Sequence, residues 1–144
     1  MDAALAEARS ARDAGEVPVG AVVALNGEIV GRGFNQPIAS HDPTAHAEIV
    51  ALRDAAGRVG NYRLGGAAVY VTVEPCLMCV GALVHARVRG VTYGAAEPKT
   101  GALVSTVRAL DTPGLNHRFA VSGGVREEAA RELIQEFFRE KRRL

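Results

Sequence analysis

Apolar positions change rhythm several times along this chain, and each change predicts an element. From Asp2 to Ala14 the spacing is helical, with Leu5 and Ala8 on a stripe to bury and Arg9 and Arg12 on a wetter one. Gly15 supplies a stop. Two apolar runs follow, Pro18–Leu25 and Glu28–Phe34. The Asn26-Gly27 pair between them predicts a two-residue hairpin. Asn35–His41 reads as loop. Asp42-Pro43 has the form of an N-cap followed by proline at the first helical position, which predicts a helix to about Ala56.

Ala67–Val73 is rich in β-branched residues and predicts a buried strand. Pro75 then opens a helix over Cys76–Ala86, and Val88–Tyr93 is the next strand. Glu97–Gly101 reads as loop and Ala102–Leu110 as a short helix. Arg118–Val121 forms a short strand. Gly123-Gly124 breaks the chain before a last helix, Val125 to Arg143. Strands alternating with helices predict an α/β fold: a mostly parallel sheet that begins with an antiparallel hairpin, covered on both faces in three layers.

The composition fits that picture. The chain of 144 residues is 48% apolar and 23% charged, enough for one domain spanning residues 1–144 with a real core. Its net charge of +1 argues against a global basic field, so any nucleic-acid surface must be a local patch. No stretch approaches the roughly 18 apolar residues of a membrane helix. Met1–Arg12 lacks a signal-peptide core. A cytoplasmic protein without a membrane partner is expected. In a reducing compartment its two cysteines favour a metal or redox site over a disulfide.

Two fragments carry the chemistry: Thr44-Ala45-His46-Ala47-Glu48 and Glu74-Pro75-Cys76-Leu77-Met78-Cys79. Cysteines three apart in a first helical turn share a face, and the helix dipole favours their thiolates. Two thiolates and an imidazole are three ligands for tetrahedral zinc, with a fourth position open for water, as in catalytic sites. Zinc lowers the pKa of such a water toward ~7. Glu48 is the candidate proton carrier. His-x-Glu followed by Pro-Cys-x-x-Cys is the known signature of zinc deaminases. Spacing alone leaves one step open, because residues two apart on a helix do not face the same way. Each fragment by itself also has plainer readings, such as a redox pair or two small buried residues.

The likeness extends beyond the motif. Glu16–Val22, Gly33–Ile38, His41–Ile49, Asn61–Leu64, Tyr70–Cys76, Lys99–Gly101 and Pro113–Arg118 resemble the bacterial tRNA adenosine deaminase family, as does the last helix with Phe137-Phe138-Arg139. The resemblance implies a cytidine deaminase-like fold, a mixed five-stranded sheet flanked by helices. It implies zinc, one ion per subunit, held by His46, Cys76 and Cys79, with Glu48 as the proton shuttle. It also implies a homodimer that binds a tRNA anticodon loop, and deamination of the wobble adenosine (position 34) of an arginine tRNA to inosine by hydroxide attack at C6. Asn35 and the backbone amide of Ala47 would contact the base. Glu97 stands where the family usually has Asp. It either reaches a neighbouring ribose 2′-OH or is a solvated loop carboxylate. Lys99 shares that loop and is a further candidate for substrate contact, either facing a phosphate beside the site or merely solvated.

The remaining features stay double. Asn35 is also a favoured turn residue. Arg139, Lys141, Arg142 and Arg143 either complement a helix C-terminus or face phosphates. Two other functions remain: the same chemistry on a free base or nucleoside such as guanine or cytosine, and an inactive zinc module that binds RNA. An intact Glu48 argues against the last.

Overall fold

The computed structural model describes residues 1–143. Strand β1 (Gly20–Leu25) turns through Asn26 and Gly27, both at positive φ, into β2 (Glu28–Phe34). Leu25 pairs with Glu28 across that turn, as the Asn-Gly signal requires. β1 also pairs antiparallel with β3 (Ala68–Val73). β4 (Gly90–Ala95) and β5 (Ala120–Ser122) then add in parallel, giving the order β2-β1-β3-β4-β5. The sheet is therefore mixed, with half of its pairings antiparallel, and the expectation of a mostly parallel sheet is corrected. Sequence periodicity gives strands but not their directions, and β3 returns beside β1 against it rather than along it.

Helix α1 (Asp2–Asp13) and helix α5 (Glu127–Arg143) pack together on one face of the sheet. Helices α3 (Ala47–Val59) and α4 (Leu77–Ala86) cover the other. The main core lies under α3 and α4, built from Val23, Val69, Val71, Val80, Leu83 and Val91. Leu5, Ala8, Ala130 and Leu133 form the smaller core between α1 and α5. Among the described residues no helix is long and apolar enough to cross a membrane.

Two predicted helices change. The helix expected from Asp42-Pro43 begins only at Ala47, and the loop before it contains a short helix, α2 (Pro37–Ser40). Asp42 spends its carboxylate on a local turn instead, accepting the Thr44 N–H at 2.9 Å and the Thr44 hydroxyl at 2.7 Å. The expected helix over Ala102–Leu110 is a series of turns ending in a 3₁₀ turn, Ala109–Asp111. The amides of Leu103, Val104 and Ser105 all donate to the Glu74 carboxylate, so they are held by a side chain.

Candidate active site and metal centre

The C-terminal end of β3 and the N-terminal ends of α3 and α4 meet at one cleft. His46 and Cys76 are the N-caps of α3 and α4, both with extended backbone (φ −70°, ψ 155° and φ −78°, ψ 174°). Cys76 thus stands just outside the helix that was expected to include it. Neither side chain caps its helix. Positions that usually carry Ser, Thr or Asp for the first-turn amides instead carry side chains that turn to one another. His46 Nδ1 lies 3.5 Å from both the Cys76 and the Cys79 sulfurs.

The ligand atoms of His46, Cys76 and Cys79 all lie within 4.8 Å of one another. A tetrahedral zinc with ordinary bond lengths separates its nitrogen and sulfur ligands by about 3.6 Å. The observed spacing fits that requirement, as does a donor set of two sulfurs and one imidazole. Without the cation, the Cys76 thiol is held down to about 4, chiefly by the Cys79 thiol and further by His46. The Cys79 thiol is pushed far up by its hydrogen bond with Cys76 and by burial. Cys76 also raises the His46 imidazole above its ordinary value. A bound cation favours thiolate at both sulfurs.

Glu48 lies in the first turn of α3 and is 4% exposed. Burial pushes its carboxyl up to about 7, and the negative charge at Cys76 adds to the rise. It shares a cleft of about 280 Å³ with His46, Cys76, Asn35 and Glu97. His46, Glu48 and Cys76 therefore do converge, a point that spacing left open.

The other expected residues divide. Asn35 lines the cleft just past β2, its amide donating to the Val19 carbonyl at 3.0 Å. Glu97 lines it from the loop after β4, where its Oε1 accepts the Lys99 N–H at 2.9 Å. Lys99 lies in an adjoining recess with Arg139 and Arg142. The Ala47 side chain is buried in the core, so only its backbone is available, and its amide is the first of α3. Val19 lines the cleft, whereas Leu77 is 63% exposed beside it. Ile134 and Phe138 of α5 reach the cleft, although apolar residues at helical spacing face a core by default. Glu74 and Thr100 also line it. Glu74 stood inside the quoted fragment, and its burial, at 3% exposure, was the missing signal.

Residues 1–95 match the family model described as the cytidine and deoxycytidylate deaminase zinc-binding region. A tRNA-specific adenosine deaminase of Agrobacterium fabrum is 46% identical over 142 residues, covering 99% of this chain and 93% of the relative. A solved structure from a study of A-to-I editing by tRNA:A34 deaminases at the wobble position of transfer RNA superposes with a TM-score of 0.90. It is 45% identical and covers 92% of this chain and 96% of its own. A guanine deaminase structure from Bacillus subtilis superposes with a TM-score of 0.63 at 34% identity, over 74% of this chain and 78% of its own. The three ligands at the starts of two helices, the mixed five-stranded sheet and these likenesses agree: this chain is a zinc-binding deaminase and belongs to the tRNA-specific adenosine deaminase family.

Proposed function

We propose that the whole chain, residues 1–144, is one domain that hydrolyses the wobble adenosine of a tRNA anticodon, that of an arginine tRNA, to inosine and ammonia. One observation carries the reading: a buried carboxylate, Glu48, shares a cleft with the three-ligand cluster. Bound zinc would supply a water whose pKa is lowered toward ~7. Glu48 takes a proton from the attacking water and delivers it to the ring nitrogen N1. After addition at C6 it takes the second proton, from the new C6 hydroxyl, and passes it to the amine, so that the C6–N bond breaks, ammonia leaves and the carbonyl of inosine forms. Burial already raises this carboxyl in the metal-free chain, and a proton carrier works in both directions when its carboxyl is lifted toward neutrality. Asn35 and the Ala47 amide meet the edge of the flipped base. Glu97 meets the neighbouring ribose 2′-OH with the oxygen that is not engaged by Lys99.

An anticodon loop suits this cleft because a loop base costs less to extrude than a stacked one. Lys99, Arg139 and Arg142 form a cationic recess beside the cleft, where backbone phosphates would lie. The apolar groove between α3 and α4, lined by Ile49, Leu52, Tyr62 and Ala82, is assigned to a second copy of the chain. Tyr62 is 69% exposed there, an anchor typical of interfaces. A tRNA substrate puts the reaction in the cytoplasm.

The likeness to a guanine deaminase supports a second reading, deamination of a free base. Purified zinc-loaded protein is incubated with the arginine tRNA and, separately, with guanine, cytosine and adenine. Inosine in the tRNA supports the first reading. Ammonia from a free base with unchanged tRNA overturns it.

A further inference from the structure

The wall of the cleft that holds Glu97 and Thr100 is a loop without regular structure, running from Glu97 to Thr106. Such a loop needs something to fix its height above the cleft. That fixture is the carboxylate of Glu74, at the end of β3 and 3% exposed. Its Oε1 accepts the Glu97 N–H at 3.2 Å and the Ser105 hydroxyl, joining both ends of the loop to one atom. Its Oε2 accepts three successive amides, from Leu103 at 3.1 Å, Val104 at 2.8 Å and Ser105 at 3.0 Å. These donors stand where a helix was expected, and the carboxylate gathers them instead onto one side chain of β3's end.

Two further facts tie the wall to the chemistry. The next residue along, Pro75, accepts the Ala102 N–H at 2.8 Å, and Cys76 follows it. Three consecutive residues therefore set the wall and deliver a metal ligand. Gly101 crosses over the Glu74 carboxylate so closely that a Cβ there would lie 2.4 Å from its Cδ. Any side chain at that position lifts the loop away.

We propose that Glu74 is a positioning residue for deamination: it holds the Glu97–Thr100 wall at the height that the substrate requires. This rests on the proposed function, but the clamp itself is a property of the chain alone. A merely structural carboxylate would alter folding stability and nothing else. A positioning one governs substrate binding while His46, Cys79 and Glu48, on other elements, continue their work.

The test uses the zinc-loaded full chain, with Glu74→Gln as the isosteric variant. Its amide keeps one acceptor oxygen and turns an NH₂ toward groups that are themselves donors. Amide exchange at residues 97 and 103–105 is expected to quicken about tenfold or more, with the β1 and β3 amides unchanged. With the tRNA anticodon stem-loop as substrate, KM is expected to rise about tenfold while kcat stays within about threefold and zinc stays bound. Gly101→Ala, which leaves the carboxylate intact, is expected to give the same split and serves where Glu74→Gln fails to fold. Unchanged exchange, or a loss confined to kcat, overturns the proposal. If the unaltered chain makes no inosine, the proposed function is wrong, and the exchange result alone decides the clamp.

Discussion

At the scale of single residues, the site depends on where the helices begin. Spacing rules within a helix cannot bring His46 and Glu48 together. The structure removes the difficulty because His46 is an N-cap with extended backbone and lies outside the periodicity of α3. Cys76 stands in the same relation to α4. Residue types therefore made the ligand set legible, whereas its convergence depended on cap geometry that no pattern encodes. Glu48 carries the sharpest prediction. Glu48→Gln should lower kcat on the tRNA about 10²- to 10⁴-fold with zinc content unchanged. The same substitution should stabilise the metal-free chain, since a carboxyl raised from 4.5 to about 7 in the fold binds more protons folded than unfolded between those values. Its stabilising share is complete below 4.5 and is lost as pH rises through 7. Urea denaturation of the metal-free, reduced protein should then show equal stabilities near pH 4. At pH 8 the variant should lead by about 3 kcal/mol. Equal stabilities at both pH values would mean that Glu48 bears no burial cost.

At the scale of elements, the close seat of α3 on β2 aims His46 and Glu48. Gly31 and Gly33 of β2 face Ala47, Ala51 and Ala55 of α3, small residues on both sides. A Cβ on Gly33 would meet the Ala51 nitrogen at 2.5 Å and the Ala47 oxygen at 2.6 Å, both backbone atoms that cannot turn aside. Gly33→Ala should therefore cost about 1–3 kcal/mol in denaturant unfolding and lower kcat by moving the first turn of α3. Gly57→Ala is the control, because nothing lies within 4 Å of the added methyl. It should be neutral or slightly stabilising. The strands and long helices were legible because their periodicity reflects burial. The segments at 37–46 and 102–110 were not, because carboxylates govern them: Asp42 turns on Thr44, Glu16 accepts the Ile38 and Ala39 amides, and Glu74 holds the Leu103–Ser105 amides. A carboxylate in sequence does not announce which distant amides it will serve.

At the scale of the whole molecule, a net charge of +1 leaves the approach of an RNA to local charge. The last helix is the one place where the two readings of a cationic helix end can be separated. Ala130, Leu133 and Phe137 are buried against the body of the protein, while Ile134 and Phe138 turn to the cleft. Arg139 and Arg142 line the recess beside Lys99 instead of projecting on the helix's far side. If these cations serve only the helix dipole, their loss should lower stability slightly and leave RNA binding alone. If they meet phosphates, each contact releases counterions, and the slope of log K against log salt falls by about 0.7 per phosphate for a single-stranded loop. The double variant Arg139→Ser, Arg142→Ser should therefore bind the anticodon stem-loop more weakly at low salt, with a slope shallower by about 1.4. Its turnover of bound substrate should stay near that of the unaltered chain, since neither arginine lines the catalytic cleft. An unchanged slope across a salt titration would return both arginines to the helix and move the phosphate path elsewhere on the surface.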